Sequence, residues 1–167
     1  MIRAGMLKLG GGVLGQLLAA DPGYRGPRVP CGQGHEAGFV SYRDKVIDTV
    51  LGPVRLTRGW YHCAACQHGF APRDAELGVA GVSLSPGLAA MNDRAAAAGP
   101  FAGAAGLLAD LGGVRLTAKR VERAAEASGA AQAAAARERS GLITSRTVVP
   151  LPPSPVPDKL YAVIYAA

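Results

Sequence analysis

Aromatic residues are scarce in this chain: three phenylalanines, five tyrosines and one tryptophan make up 5% of its 167 residues. That scarcity argues against one large core built on ring packing and for several small modules. Long apolar runs are missing too, since nowhere do about 18 apolar residues follow one another, which speaks against a membrane-spanning helix. Cysteine is limited to three, an odd number that suits a reducing compartment better than a disulfide framework. Catalytic signatures are also wanting. The sequence holds no Walker-type phosphate loop, no G-x-S-x-G elbow and no H-E-x-x-H pair, and its carboxylates Asp44, Asp48, Asp74, Glu76 and Asp110 are scattered among turns and basic residues.

Charge is sparse at 18% of residues but unbalanced, with a formal net charge of +6. Residues 1–28 carry +3, 29–80 carry 0, 81–147 carry +3 and 148–167 carry 0. Such an excess favours a polyanionic partner, nucleic acid before an acidic membrane surface. The basic, apolar N-terminus imitates a secretion signal, but Gln16 and the glycines at 10–12 interrupt it, so export is not expected. A cytoplasmic, nucleoid-associated protein without a membrane partner is the expectation.

Five segments differ in texture. In residues 1–28, Met6, Val13, Leu14, Leu17 and Leu18 recur at helical spacing until Asp21-Pro22-Gly23. The glycines at 10–12 each cost about 1 kcal/mol in a helix, so the ordered part is expected from about Val13 to Ala20. Residues 29–80 hold two alternating runs, GFVSYRDKVIDTV and PVRLTRGWYH, joined at Leu51-Gly52-Pro53; they predict a small antiparallel meander too thin to stand on its own core. Residues 81–147 turn helical. Ser85-Pro86 caps one helix, Gly99-Pro100 separates it from FAGAAGLLADL, Gly112-Gly113 makes a turn, and Thr117 caps a basic third helix that Ser128-Gly129 can end or bend, with the alanine-rich AAQAAAARERSG beyond it expected as an exposed helical arm. Residues 148–158 are a proline-rich spacer, and 159–167 read as a strand with no partner. The fold class is therefore α+β in small modules: a zinc-ribbon-like antiparallel β meander followed by a helical bundle resembling a helix-turn-helix.

Two constellations carry chemistry. Cys31 and His35 stand as C-x3-H before the meander, and Cys63 and Cys66 stand as C-x2-C after it. Each pair can hold a tetrahedral ion from a tight turn, and the strands between them bring the turns together, so a structural Zn²⁺ is expected. His68 competes with His35 for the fourth position, whereas His62 lies directly beside Cys63 and is poorly placed. Against this stands a reading in which the cysteines are simply reduced core residues. The second constellation is basic: Arg115, Lys119, Arg120 and Arg123 cluster at the start of the third helix, where a recognition helix meets the major groove. Val121 and Ala125 would then pack on Leu107, Leu108 and Leu111. Glu122 and Glu126 alternate with these bases, as they would on a merely solvated helix face.

Taken together, RAGMLKLGGGVLGQLLAADPGYRG, the stretch from Pro30 to Val79, and LTAKRVERAAEASGA resemble the N-terminal half of ISKra-type insertion-sequence transposases. That resemblance covers nearly the whole chain in order and spacing. It implies a zinc-binding front half that recognises insertion-sequence ends in DNA transposition and recombination, ahead of a DDE catalytic core of ribonuclease-H-like fold in which carboxylates hold two divalent ions. The family's zinc pattern falls on Cys31, Cys63 and Cys66, with His35 fourth. Gln67 stands where a glycine commonly follows the last cysteine. Where relatives continue from Lys159–Ile164 into Asp-Gly-Thr-Gly, this sequence has Tyr165-Ala166-Ala167. A chain without catalytic acids is the expectation, partnered with DNA, an intact transposase or further copies of itself. The alternatives are a small zinc-and-helix DNA-binding regulator or a zinc-stapled protein-interaction module.

Overall fold

The computed structural model describes residues 2–145; the spacer expected over 148–158 and the strand expected over 159–167 lie outside them. The architecture is α+β. Helix α1 (Ile2–Ala19) leads into β1 (Arg28–Pro30), β2 (Glu36–Thr49), β3 (Gly52–Cys63) and β4 (His68–Phe70), then α2 (Pro72–Glu76), α3 (Pro86–Ala97), α4 (Phe101–Leu107) and α5 (Ala118–Thr144). The four strands form one antiparallel sheet in the order β1-β2-β3-β4. The described residues fall into two units, one up to Ala127 and one from Ser128 onward. In the second, helical residues 129–142 are exposed.

The β2–β3 hairpin is the frame. Its turn is held by Thr49, whose hydroxyl donates to Gly52 O at 2.8 Å and accepts from Leu51 N at 3.1 Å. Val54, Leu56 and Arg58 are buried near the turn, whereas Gly59, Tyr61 and Cys63 are buried toward the other end. In a strand these two sets point to opposite faces, so the hairpin buries one face at its tip and the other at its base. A register shift between Phe39 and Ser41 lets β2 follow the exchange. The result is two small clusters, Ile47, Val54, Leu56 and Val79 at the tip, and Val29, Ala37, Tyr61 and Cys63 at the base.

Helix α1 is longer than its sequence predicts, running unbroken through Gly10, Gly11 and Gly12. The reason is close approach. A Cβ on Gly10 would lie 3.2 Å from Leu51 Cδ2, and one on Gly11 would lie 3.1 Å from Leu51 O; the missing side chains let the helix sit against the hairpin turn. Leu14 and Leu18 complete this seat on the tip cluster. Helix propensity counts the glycines as a loss, and tertiary packing reverses that account.

Short α2 carries an ion lock. Asp74 pairs with Arg58 Nε at 2.7 Å and Lys45 Nζ at 3.3 Å, all three side chains being nearly inaccessible. Next to it, Asp21 receives Arg73 at 2.6 Å and Arg25 at 2.9 Å, and Arg25 also holds Glu76 at 2.6 Å. The Arg25 guanidinium and the Gly23 N–H beside Asp21 hold its carboxyl well below the usual carboxylate range, and Arg25 lowers Glu76 likewise.

The helical layer has its own core of Leu84, Leu88, Ala104, Leu108, Val114, Leu116 and Val121. Ser85 caps α3, accepting from Leu88 N at 3.4 Å, and Thr117 Oγ1 accepts from Arg120 N at 3.3 Å. Two expectations differ here. Leu107 and Leu111 are exposed rather than packed on Val121, because Leu108–Gly112 is a π-helical turn whose wider winding changes which residues face inward. Nor do Ser128 and Gly129 end α5, which continues to Thr144, its alanine-rich stretch forming the exposed helical arm that the sequence predicts.

Removing one member of a buried ion cluster strands the others without a counter-charge, at about 3–5 kcal/mol. Asp74→Ala is expected to destabilise the chain by that much in urea unfolding, with Lys45→Met milder because Arg58 keeps its partner. The lowered Asp21 and Glu76 carboxyls add stability that is present above the usual carboxylate range and is lost as pH falls through their depressed values. Thermal unfolding followed below pH 4 should therefore show Asp21→Asn less acid-sensitive than the parent.

Candidate metal centre

At the base of the hairpin the two motif pairs meet. β1 ends at Pro30, and the next residue, Cys31, donates its N–H to His35 O at 2.9 Å. The intervening turn passes through Gly32 and Gly34 at φ of 84° and 78°, left-handed geometry that glycine adopts without steric penalty. β3 delivers Cys63, and the turn to β4 delivers Cys66. Pairing of Cys63 with His68 across β3 and β4 closes that second turn.

The ligand atoms of Cys31, His35, Cys63 and Cys66 all lie within 4.8 Å of one another. Cys31 Sγ is 3.7 Å from Cys66 Sγ, and His35 Nδ1 is 3.2 Å from the same sulfur. A tetrahedron with metal–sulfur bonds of about 2.3 Å has sulfur–sulfur edges of about 3.8 Å, so the donor set fits an ion of zinc's size and chemistry. Three sulfurs and one nitrogen fill four positions and leave none for a substrate water, the arrangement of a site that holds structure together. The four residues are therefore close enough to hold a metal ion and compatible with a structural zinc site.

His68, the competing candidate, is outside the cluster; its ring stacks on Phe70 at 5.8 Å. His62 is exposed on the strand beside Cys63, as expected from the alternation of side chains along a strand.

The sulfurs are electrostatically unequal. The backbone N–H groups of Gln33 and His35 draw the Cys31 thiol down to about 7, whereas crowding by Cys63, desolvation and Cys31 push the Cys66 thiol up to about 11. Near neutral pH, Cys66 therefore keeps its proton until a cation displaces it.

One supporting residue escaped sequence reasoning. Fully buried Tyr61 lies two residues before Cys63 on the same face, accepts from Arg25 N at 2.7 Å and donates to Gly26 O at 3.0 Å. It ties the segment leading into β1, and so the first ligand pair, to the strand carrying the second. The available signal was the WYHC run, in which Tyr61 shares the face of Cys63. Gln67 also has an unforeseen role: at φ 52° it is the described non-glycine residue with left-handed backbone, and its side chain donates to Ala64 O at 2.6 Å. This is the position where the resemblance leads one to expect glycine.

The basic residues are less uniform than their sequence clustering implies. Arg120 pairs with Asp48 at 2.6 Å and donates to Ser83 Oγ at 3.2 Å, and Lys119 pairs with Glu122 at 2.8 Å. Arg115 and Arg123 are exposed.

Metal uptake measured by calorimetry in buffers of different ionisation enthalpy should release at least one proton at pH 7, and apparent affinity should rise with pH as the Cys66 thiol becomes easier to ionise. Cys66→Ser should abolish stoichiometric metal in the purified chain. At Gln67, valine should lower the stability of the metal-loaded chain by about 1–2 kcal/mol, since β-branched residues resist left-handed backbone, while Gln67→Gly and Gln67→Asn are tolerated in the same thermal melts.

Compared with known proteins, the chain matches no family model, no curated protein and no solved structure, so its functional reading stands on the residues and their geometry.

Proposed function

We propose that this chain is a DNA-binding front portion of an insertion-sequence transposase, with a structural zinc ion at Cys31, His35, Cys63 and Cys66. The observation that carries the reading is the closure of those four donors at the base of the hairpin, which is the pattern the resemblance to ISKra-type transposases implies at these positions. The net charge of +6 supports a polyanionic partner. In this reading the β module is a zinc ribbon, α4 and α5 form a helix-turn-helix-like pair, and the protein works at insertion-sequence ends in the cytoplasm, associated with the nucleoid. No catalytic role is assigned to its residues.

The basic residues then divide by role. Arg115, Lys119 and Arg123 offer their charge to phosphate, whereas Arg120 fixes the start of α5 to Asp48 and Ser83. Lys119 is also shared with Glu122, at a surface pair worth at most about 1 kcal/mol and easily given up to a phosphate.

A second reading draws on that same division. Because Arg120 and Lys119 both have partners within the chain, the start of α5 can serve chiefly as scaffold. The protein would then be a zinc-stapled interaction module or a small regulator.

Gel-shift titrations across a salt series separate the two. Each lost phosphate contact should reduce the slope of log affinity against log salt by about 0.9, so Arg123→Ala and Arg115→Ala should each flatten it while leaving the melting temperature unchanged. Arg120→Ala should lower the melting temperature. Absence of binding to any duplex at low salt by the metal-loaded chain would sink the DNA reading and leave the interaction module.

A further inference from the structure

Helix α1 uses only one side to sit on the hairpin. Its opposite side carries Ile2, Met6, Leu9, Val13 and Leu17, which are 57–85% exposed, and their spacing of 4, 3, 4 and 4 residues keeps them on one helical stripe. Beside the stripe, Gly5 and Gly12 have nothing within 4 Å of where a Cβ would stand. They are floor residues of a shallow groove of about 510 Å³ bordered by Lys8, Leu9, Val13 and Gln16. A ridge of large apolar side chains beside a glycine-floored groove is the pair of features that helix-to-helix packing needs, knobs on one side and holes for them next to it.

We propose that this face binds the same face of a second copy of the chain, as an antiparallel helix pair about a two-fold axis near Leu9. Three observations select that occupant. The stripe reads nearly the same in reverse: antiparallel alignment sets Ile2 against Leu17, Met6 against Val13 and Leu9 against its mate, as an isologous contact requires. Its extent meets the lower end of what a stable interface needs: with the five residues 57–85% exposed, complete burial of all of them in both copies would remove about 1,300 Å² from water. Electrostatics favours the same direction, for an antiparallel pair opposes the two helix dipoles; Arg3 takes no part in this, since its guanidinium donates to the carbonyls of Asp110 and Leu111 in its own chain. The inference does not depend on DNA binding, because the face lies on α1 and uses neither the metal cluster nor the basic residues of α5.

Sedimentation velocity of the full metal-loaded chain, from about 1 to about 100 µM, tests it, in the affinity range that interfaces of this size reach. The expected result is a concentration-dependent shift from 17.0 kDa to twice that mass. Leu9→Glu and Met6→Glu should each weaken the dimer at least tenfold, with circular dichroism and melting temperature of the monomer unchanged because both side chains face solvent. Oxidative cross-linking fixes the direction: Ile2→Cys mixed with Leu17→Cys should give a covalent dimer, and Ile2→Cys alone should not. The proposal is overturned by a chain that stays monomeric to 100 µM, by a Leu9→Glu variant that dimerises like the parent, or by Ile2→Cys linking to itself. Pelleting of a monomeric chain with phosphatidylglycerol vesicles would overturn it in favour of a lipid surface.

Discussion

The β2–β3 ladder imposes the constraint to which everything else answers. Two strands can pair their own backbone groups, but a hairpin has two faces and two ends, and it cannot bury either face by itself. This one exchanges its buried face midway, with Val54, Leu56 and Arg58 inward at the tip and Gly59, Tyr61 and Cys63 inward at the base. Each half then needs a different cover. At the tip, α1 and the segment around Val79 supply apolar atoms. At the base the cover is Val29, Ala37, Tyr61, Phe39, Phe70 and the cysteines, and a metal ion bound by four ligands would add cross-links to this small apolar cluster.

The same constraint explains why so many ion pairs gather around α2. That helix has five residues and almost no apolar surface to contribute, so it is held by charge. Asp74 faces two cations from the strands, while Arg73 and Glu76 reach the Asp21–Arg25 segment that leads back to β1. Tyr61 joins that segment to β3 from the other side. The loop delivering Cys31 is thus anchored by both the ion network and a buried phenol, which makes the geometry of the first ligand pair a property of the whole base rather than of the C-x3-H motif. At the far end, Asp48 does the corresponding task. Its backbone pairs with Ser83 and Ser85 at 2.8 and 2.9 Å, and its side chain receives Arg120, which ties the first turn of α5 to β2 alongside the packing of Val121 in the helical core.

Much of this was legible in the residues, and the limits have physical causes. The cluster of Cys31, His35, Cys63 and Cys66 could be read because metal binding demands particular side chains at particular spacings within a turn, which are local facts. The hairpin followed from alternation, and the caps at Ser85 and Thr117 from residue chemistry at helix starts. What stayed hidden was set by distant partners. Gly10 and Gly11 look like helix breakers until Leu51 is placed against them. Arg120 looks like a free base until Asp48, 72 positions away, is beside it. The exposure of Leu111 depends on a π-helical turn that composition does not announce. The exchange of faces along β3 was concealed because Arg58 is buried by Asp74 rather than by hydrophobicity, so the polar–apolar pattern misnames that position.

Helix α1 shows how far one residue type can be put to two uses. On its inner side Gly10, Gly11 and Gly15 bring the backbone to within van der Waals reach of Leu51 and Val54; on its outer side Gly5 and Gly12 open onto solvent. Helix propensity would count all five as defects of about 1 kcal/mol each, a load that a helix this exposed could not carry on intrinsic preference. Those on the inner side are offset by packing that is present in the single chain. Those on the outer side make no such contact among the described residues, and the apolar side chains between them are exposed. A surface that combines the entropic cost of glycine with the hydration cost of isoleucine, methionine and leucine gains free energy if another surface closes over it, which is the physical basis for proposing its own reversed copy as the occupant.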